Sequence, residues 1–366
     1  MEQVAILGAA GKMGRGITEL IALEEPKLLH LIDTDVEGLM VTKRALVPLF
    51  RKKAEKQIVK LRNAFPLVSN EEVIQAYVDS AMERIWLSQR IEDAWNDHWV
   101  FEAVVEDEEV KVSLLQTLKK SSTYFFSNTS SIPIAQMAKK AGIEGRLIGF
   151  HFYHSPPKQQ VVELVVPQGT APQLVEEALL LGKRLKKTLV TSADVPGFIG
   201  NGLWMRELQI AGSLVRELEK IHGREKAIAH VNSATQKWLL RPMGIFTLAD
   251  HVGLSTCRRI GAVMGVEEPL IAEYEARGFH PELIEGPSPP YTWKELSHHP
   301  LPLQNYFHTL AQATDGEPQI AYRYLQQFQK ICENLIQQKV VANETDLAAI
   351  LKGGFHHLYT PREVLG

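Results

Sequence analysis

The sequence predicts an α/β domain built on a mostly parallel sheet, followed by a mainly α-helical C-terminal domain. Two observations carry this. Over the first two hundred residues, near-continuous apolar runs of strand length alternate with amphipathic stretches, as in a parallel sheet covered on both faces. Beyond Gly197 strand-like runs become rare and helical patterns take over. The 366 residues suit two or three packed units, and 45% apolar with 23% charged residues is ordinary globular composition.

The apolar runs come in order at Val4 to Leu7, Leu28 to Ile32, Arg84 to Leu87, Trp99 to Val105, Tyr124 to Phe126, Leu147 to Phe152 and Val161 to Val166. The pattern changes around Pro196. The expected layout is an α/β domain over 1–192, a helical domain over 193–285, a Pro-rich linker over 286–318 and a helical tail over 319–366. That tail faintly echoes the segment after Asn201, as a partial repeat would.

Forty Lys and Arg against 43 Asp and Glu give a formal charge of −3, so no whole-molecule basic field exists to hold nucleic acid or an anionic membrane. Two cysteines, Cys257 and Cys332, exclude a disulfide framework and a four-cysteine zinc site. The N-terminus lacks the basic and long apolar stretches of a signal peptide, and no run spans a bilayer. A reducing, cytoplasmic setting without membrane or nucleic-acid partners is expected.

Gly8-Ala9-Ala10-Gly11-Lys12-Met13-Gly14 follows the first strand and opens a helix. Glycines there allow a tight turn and close approach of backbone N–H groups to a pyrophosphate, with the positive end of the helix dipole behind them. The spacing is G-x-x-G-x-x-G, one residue longer than the common G-x-G-x-x-G. Asp33 ends the second strand, where a carboxylate accepts hydrogen bonds from a ribose 2′-OH and repels a 2′-phosphate. No arginine follows it directly, which favours NAD over NADP. Strand, glycine turn, helix and acid together predict a Rossmann-type NAD-binding domain.

Leu147 to Phe152 carries His151 near its end. Glu163 stands amid five aliphatic residues in Val161 to Val166, where a carboxylate is costly to bury unless something pairs with it. A hairpin of that span would set Glu163 against His151, fixing the tautomer of a general base. His154 offers a rival H-x-x-H metal pair, but residues three apart on a strand point to opposite faces, so no metal is expected. Ser127 to Ser131 follows another strand, where ligands of open parallel sheets sit. Its hydroxyls and amide suit a substrate oxygen or nicotinamide ribose, and equally a helix cap.

In this order the pieces resemble the L-3-hydroxyacyl-CoA dehydrogenase family. The matching stretches are VAILGAAGKMGRGI, LID at 31–33, FEAVVEDEEVK at 101–111, SNTSSIPI, RLIGFHF, VVELVV, DVPGFIGN at 194–201 and LLRPMGIFTLADHVGL at 239–254. The resemblance implies NAD as cofactor and an acyl-CoA as substrate, interconverted between L-3-hydroxyacyl and 3-oxoacyl forms in fatty acid β-oxidation by a homodimer. It makes His151 the catalytic base with Glu163 as its partner, and brings Ser130 and Asn201 to the reacting oxygen. Asp33 would bind the adenosine ribose of NAD, Gly8, Gly11, Lys12, Met13 and Gly14 complete the cofactor-binding loop, and Glu106, Lys111 and Asn128 would line the nicotinamide side. Lys56, in the basic run from Arg51 to Arg62, aligns best with a lysine that contacts a CoA phosphate. The chain departs from the family at His154-Ser155, where Asn-Pro is usual, at Gly202 in place of an arginine, and at Leu49 in place of a serine. Two other readings stand beside this one: a dehydrogenase of a short 3-hydroxy acid without CoA, and a non-catalytic NAD-binding protein.

Overall fold

The computed structural model describes residues 2–63, 68–119, 122–281 and 287–366. They form two compact units, Met1–Thr129 with Ile134–Leu189, and Ser130–Pro133 with Val190–Gly366. The first carries β1 (Gln3–Leu7), α1 (Lys12–Leu23), β2 (Leu28–Ile32), α2 (Val36–Lys56), α3 (Ile58–Arg62), α4 (Asn70–Glu83), β3 (Ile85–Ser88), β4 (Trp99–Glu102), α5 (Glu108–Thr117), β5 (Tyr124–Ser127), α6 (Ile134–Ala141), β6 (Leu147–Phe152), β7 (Val161–Val165) and α7 (Pro172–Arg184). The division between the units falls within β8 (Thr188–Ser192).

The strands lie in the order β3-β2-β1-β4-β5-β6-β7-β8. Pairing is parallel from β3 through β6 and antiparallel between β6 and β7. The order 3-2-1-4-5-6 is the doubly wound Rossmann arrangement, whose ligands bind outside the carboxyl ends of the strands. Every residue of β4, β6 and β7 is buried, which explains runs without polar alternation. Phe101 stacks on Phe126 with ring centroids 4.8 Å apart, and Phe150 meets Phe126 edge-on at 5.8 Å. The run expected from Trp99 to Val105 is strand only to Glu102. There the Glu102 carboxylate accepts from Val104 N at 2.9 Å and turns the chain.

The second unit is helical: α8 (Gly200–His222), α9 (Arg224–Ser233), α10 (Ile245–Val252), α11 (Leu254–Met264), α12 (Pro269–Tyr274), α13 (Trp293–His298), α14 (Gln304–Leu310), α15 (Gly316–Gln337), α16 (Glu344–Ala349) and α17 (Pro361–Leu365). Residues 282–286, which include the end of the expected 193–285 domain and the start of the expected linker, lie outside the described residues. The rest of that Pro-rich stretch carries α13 and α14, and Leu296, Phe307 and Leu310 are buried. No helix among the described residues is long and apolar enough to cross a membrane.

One architecture occurs twice in this unit at a constant offset. Gly200 and Gly316 open the long helices α8 and α15. Ala234 and Ile350 each open a five-residue π-helical segment. Leu240 and His356 both take positive φ, +49° and +57°. Ile245 and Pro361 start the helices that follow. The repetition thus begins at Gly316. The copies pack on one another: Arg323 of α15 forks onto Glu217 of α8 at 2.9 and 2.7 Å, and Tyr324 OH reaches Glu207 O.

Beside that contact lies a buried charge pair. Arg241 Nη1 meets Glu207 Oε1 at 2.7 Å, with both side chains under one-tenth exposed. The guanidinium lies over Tyr324 and Phe328, 5.4 and 5.0 Å from their centroids. His357, the residue equivalent to Arg241 in the second copy, is buried next to it. Burial, then the charge of Arg241, holds its pKa well below the usual imidazole range.

Candidate active site

The first unit builds a nucleotide cradle at the carboxyl end of β1. Gly8 sits at φ +80°, and a Cβ there would lie 2.6 Å from Ala103 O. Gly11 N donates to Gly8 O at 3.0 Å, so the extra residue of the glycine motif is taken up in a closed turn. Gly14 packs against the same turn, where a Cβ would come within 2.0 Å of Gly8 O. Helix α1 starts at Lys12 and Met13, and no side chain caps it. Its first N–H groups therefore suit a phosphate. Asp33 holds the loop from the β2 side: Oδ2 accepts from Ala10 N and Oδ1 from Asp35 N, each at 3.0 Å. Each carboxylate oxygen keeps lone-pair capacity for a ribose hydroxyl. Gly8, Gly11, Asp33, Gln89, Arg90 and Val104 are among the walls of a cleft of about 720 Å³.

Further along the sheet, β6 and β7 bring the expected pair together. His151 and Glu163 are directly opposite in the antiparallel register, so twelve residues of sequence become one cross-strand contact. His151 Nδ1 lies 3.0 Å from Glu163 Oε1. Glu163 is fully buried and His151 is 8% exposed, so little water competes for the bond. A carboxylate accepting from Nδ1–H leaves Nε2 as the basic nitrogen. Tyr153, unremarked in the sequence, donates its hydroxyl to the same Glu163 oxygen at 2.8 Å. Burial, then the Glu163 charge, raises the Tyr153 pKa well above the usual phenol range, which keeps it a donor.

A second buried network stands at the ends of β4 and β5. Lys111 is 1% exposed and lies 2.7 Å from Glu102 and 3.3 Å from Glu106. Burial opposes its charge, but the two carboxylates outweigh burial and its pKa stands above the ordinary lysine value. Ser127 Oγ donates to Glu102 at 2.6 Å and Thr129 Oγ1 to Glu106 at 2.7 Å. Asn128 Oδ1 accepts from Phe152 N at 2.9 Å and ties β5 to β6. With Oδ1 engaged, a nucleotide would meet mainly its Nδ2. Glu102 escaped the sequence reading, although it carries the signal that exposed Glu163: an acid in an apolar run.

The second unit holds the other two expected residues. Asn201 Nδ2 donates to Ser130 O at 2.8 Å, and Gly197 N donates to Ser131 O at 3.1 Å. The turn before Asn201 has Gly197 at φ +81°. Gly202 lacks the family's arginine, and Arg206, one helical turn on, returns its guanidinium to Gly202 O at 2.7 Å. Lys56 is exposed at the end of α2. In the same basic run Arg51 forks onto Glu71, and Lys53 pairs with Glu25.

The NAD-binding-domain profile of 3-hydroxyacyl-CoA dehydrogenases matches residues 3–195, more than half of the chain. The chain belongs to the 3-hydroxyacyl-CoA dehydrogenase family. It is an NAD-dependent enzyme, and the uncapped α1 terminus, the glycine cradle and Asp33 fit that cofactor. Among its relatives, a probable 3-hydroxybutyryl-CoA dehydrogenase of Bacillus subtilis is 28% identical over 76% of this chain and 93% of its own length. The mitochondrial hydroxyacyl-coenzyme A dehydrogenase of Homo sapiens is 29% identical over 74% of this chain and 83% of its own. The fold is that of the Escherichia coli 3-hydroxybutyryl-CoA dehydrogenase, with a TM-score of 0.70 at 18% identity, covering 98% of this chain and 90% of that one.

Proposed function

We propose that this family member oxidises an L-3-hydroxyacyl-CoA to the 3-oxoacyl-CoA, and reverses the reaction, with His151 as general base. The observation that carries the reading is the buried His151–Glu163 pair across β6 and β7. NAD supplies one thing here, a nicotinamide that accepts hydride from C3. The chain supplies the rest. Nε2 of His151 takes the hydroxyl proton, Glu163 stabilises the imidazolium, and Tyr153 holds Glu163 in place. Ser130 and Asn201 enter as contacts of the reacting oxygen. Gly8, Gly11, Lys12, Met13 and Gly14 take the pyrophosphate of NAD, Asp33 its adenosine ribose, and Glu106, Lys111 and Asn128 the nicotinamide side. A cytoplasmic homodimer acting in β-oxidation completes the reading. The test is NADH oxidation with acetoacetyl-CoA, a longer 3-oxoacyl-CoA and free acetoacetate. Turnover confined to free acetoacetate would replace this reading with a short-acid dehydrogenase.

Asp33→Ala is expected to weaken NAD binding and relax discrimination against NADP, because the 2′-OH acceptor and the repulsion of a 2′-phosphate disappear together. Titration of the protein's intrinsic fluorescence with each cofactor measures this. A wild type that already prefers NADP would contradict the assignment.

Lys56→Ala is expected to raise KM for acetoacetyl-CoA more than for the same substrate without the 3′-phosphate, and the gap should close with salt. Equal effects on both substrates would make Lys56 an ordinary solvated lysine.

A further inference from the structure

We infer that Glu102, at the end of β4, is a positioning residue that sets the place of the Glu106 carboxylate for the nicotinamide. This rests on the functional reading above only in putting Glu106 on the nicotinamide side. Glu102 is fully buried, and the network around it lies within the first unit. Two branches leave its carboxylate and both end on Glu106. In one, Oε1 accepts from Lys111 Nζ at 2.7 Å, and the same ammonium meets Glu106 Oε2 at 3.3 Å. In the other, Oε2 accepts from Ser127 Oγ at 2.6 Å. Ser127 Oγ accepts in turn from Thr129 N at 3.2 Å, and Thr129 Oγ1 donates to Glu106 Oε1 at 2.7 Å. Each oxygen of Glu106 is thus held by a chain that starts from a different oxygen of Glu102. The sheet fixes the root of this ring, since Glu102 and Ser127 are register partners across β4 and β5.

Lys111 needs this arrangement. It stands in the first turn of α5, where the helix dipole disfavours a cation, and it is buried as well. Two carboxylates offset both costs. Its three ammonium protons have three acceptors: Glu102, Glu106 and, at 3.3 Å, Val104 O. None is left for a ligand, so Lys111 acts on the nicotinamide side through Glu106. Of the three charged side chains Glu106 alone has more than a trace of exposure, 16% against 0% and 1%. A carboxylate fixed at both oxygens in this way suits the N–H donors of a carboxamide. Glu102 stands one layer beneath it and decides its direction without touching the cofactor.

The experiment is calorimetric titration with NADH and with ADP-ribose, which lacks the nicotinamide. Glu102→Gln keeps one oxygen for Lys111 and Val104 N, but it turns an amide N–H2 toward Ser127 and removes the charge. NADH should bind about tenfold more weakly, the size of a lost hydrogen bond to a charged group, with ADP-ribose within about twofold. Ser127→Ala cuts only the second branch and decides the matter where Glu102→Gln does not fold. It should weaken NADH by about threefold and leave ADP-ribose unchanged. Glu106→Gln should show the same split, and adding Glu102→Gln to it should cost less than about twofold more, because one residue acts through the other. Equal losses for NADH and ADP-ribose, unchanged NADH binding in Glu102→Gln, or a full additive loss in the double variant would make Glu102 a structural carboxylate and overturn the inference, with the functional reading left standing. Unchanged NADH binding in Glu106→Gln would overturn it together with the nicotinamide-side place of Glu106. A wild type that reduces no 3-oxoacyl-CoA, in a protein whose variants show the split, would overturn the acyl-CoA reading alone.

Discussion

His151→Gln is expected to lower kcat by about two to four decades while cofactor affinity changes little, the usual size for a lost general base. Glutamine keeps a polar group of similar reach and cannot accept the proton. Glu163→Gln is expected to lower kcat as well, because the imidazolium loses a buried counter-charge 3.0 Å away. The double variant should be little worse than His151→Gln alone, since the two side chains act as one unit across the β6–β7 pair. Steady-state kinetics on the four proteins checks this. Additive losses, or an unchanged rate in either single variant, would make Glu163 a structural carboxylate and move the base elsewhere.

The largest effect on stability is expected in the helical unit. Arg241→Ala strands the Glu207 carboxylate in a buried site, and removing one partner of such a pair costs about 3–5 kcal/mol. It also removes the cation lying over Tyr324 and Phe328. Denaturant unfolding followed by far-UV signal would show the loss as a lower midpoint. The paired replacement Arg241→Met with Glu207→Leu removes both charges and fills similar volume. It should recover most of that loss, because the desolvation of both groups is relieved together. If the single variant were as stable as wild type, the pair would be carrying no burial cost.

Much of the first unit was legible because its chemistry coincides with strong local signals. A glycine cluster between an apolar run and a helix has few uses, and Asp33 closes the β2 run where a nucleotide acid belongs. Glu163 announced itself by being charged where five aliphatic neighbours demand burial. Glu102 carried the same mark in the middle of the Trp99 to Val105 run, but its buried partner Lys111 stands nine residues on, in a charged helical turn that reads as surface. Tyr153 gave no signal, since a tyrosine after a buried strand is ordinary packing. Strand β8 went unread because its exposed threonines and mixed burial mimic a loop. The helical unit was the hardest to read. Its two copies share backbone geometry, with π-helical segments and positive φ at matching places, while the side chains have diverged. Asn201 in one copy answers to Glu317 in the other, and Arg241 to His357. Local pattern reading sees residues, so a likeness held mainly in the backbone shows only as a faint echo.

The α8–α15 pairing joins two segments of one covalent chain, and that changes its dependence on dilution. Two separate chains that met through such helices would surrender translational and rotational freedom on association, and their pairing would weaken as the protein was diluted. Here the intervening chain sets a fixed effective concentration for the encounter. The Arg323–Glu217 fork and the Tyr324 contact should therefore persist at any protein concentration. The area of α8 that α15 covers is already spoken for, so a second copy of the chain would have to dock on other ground.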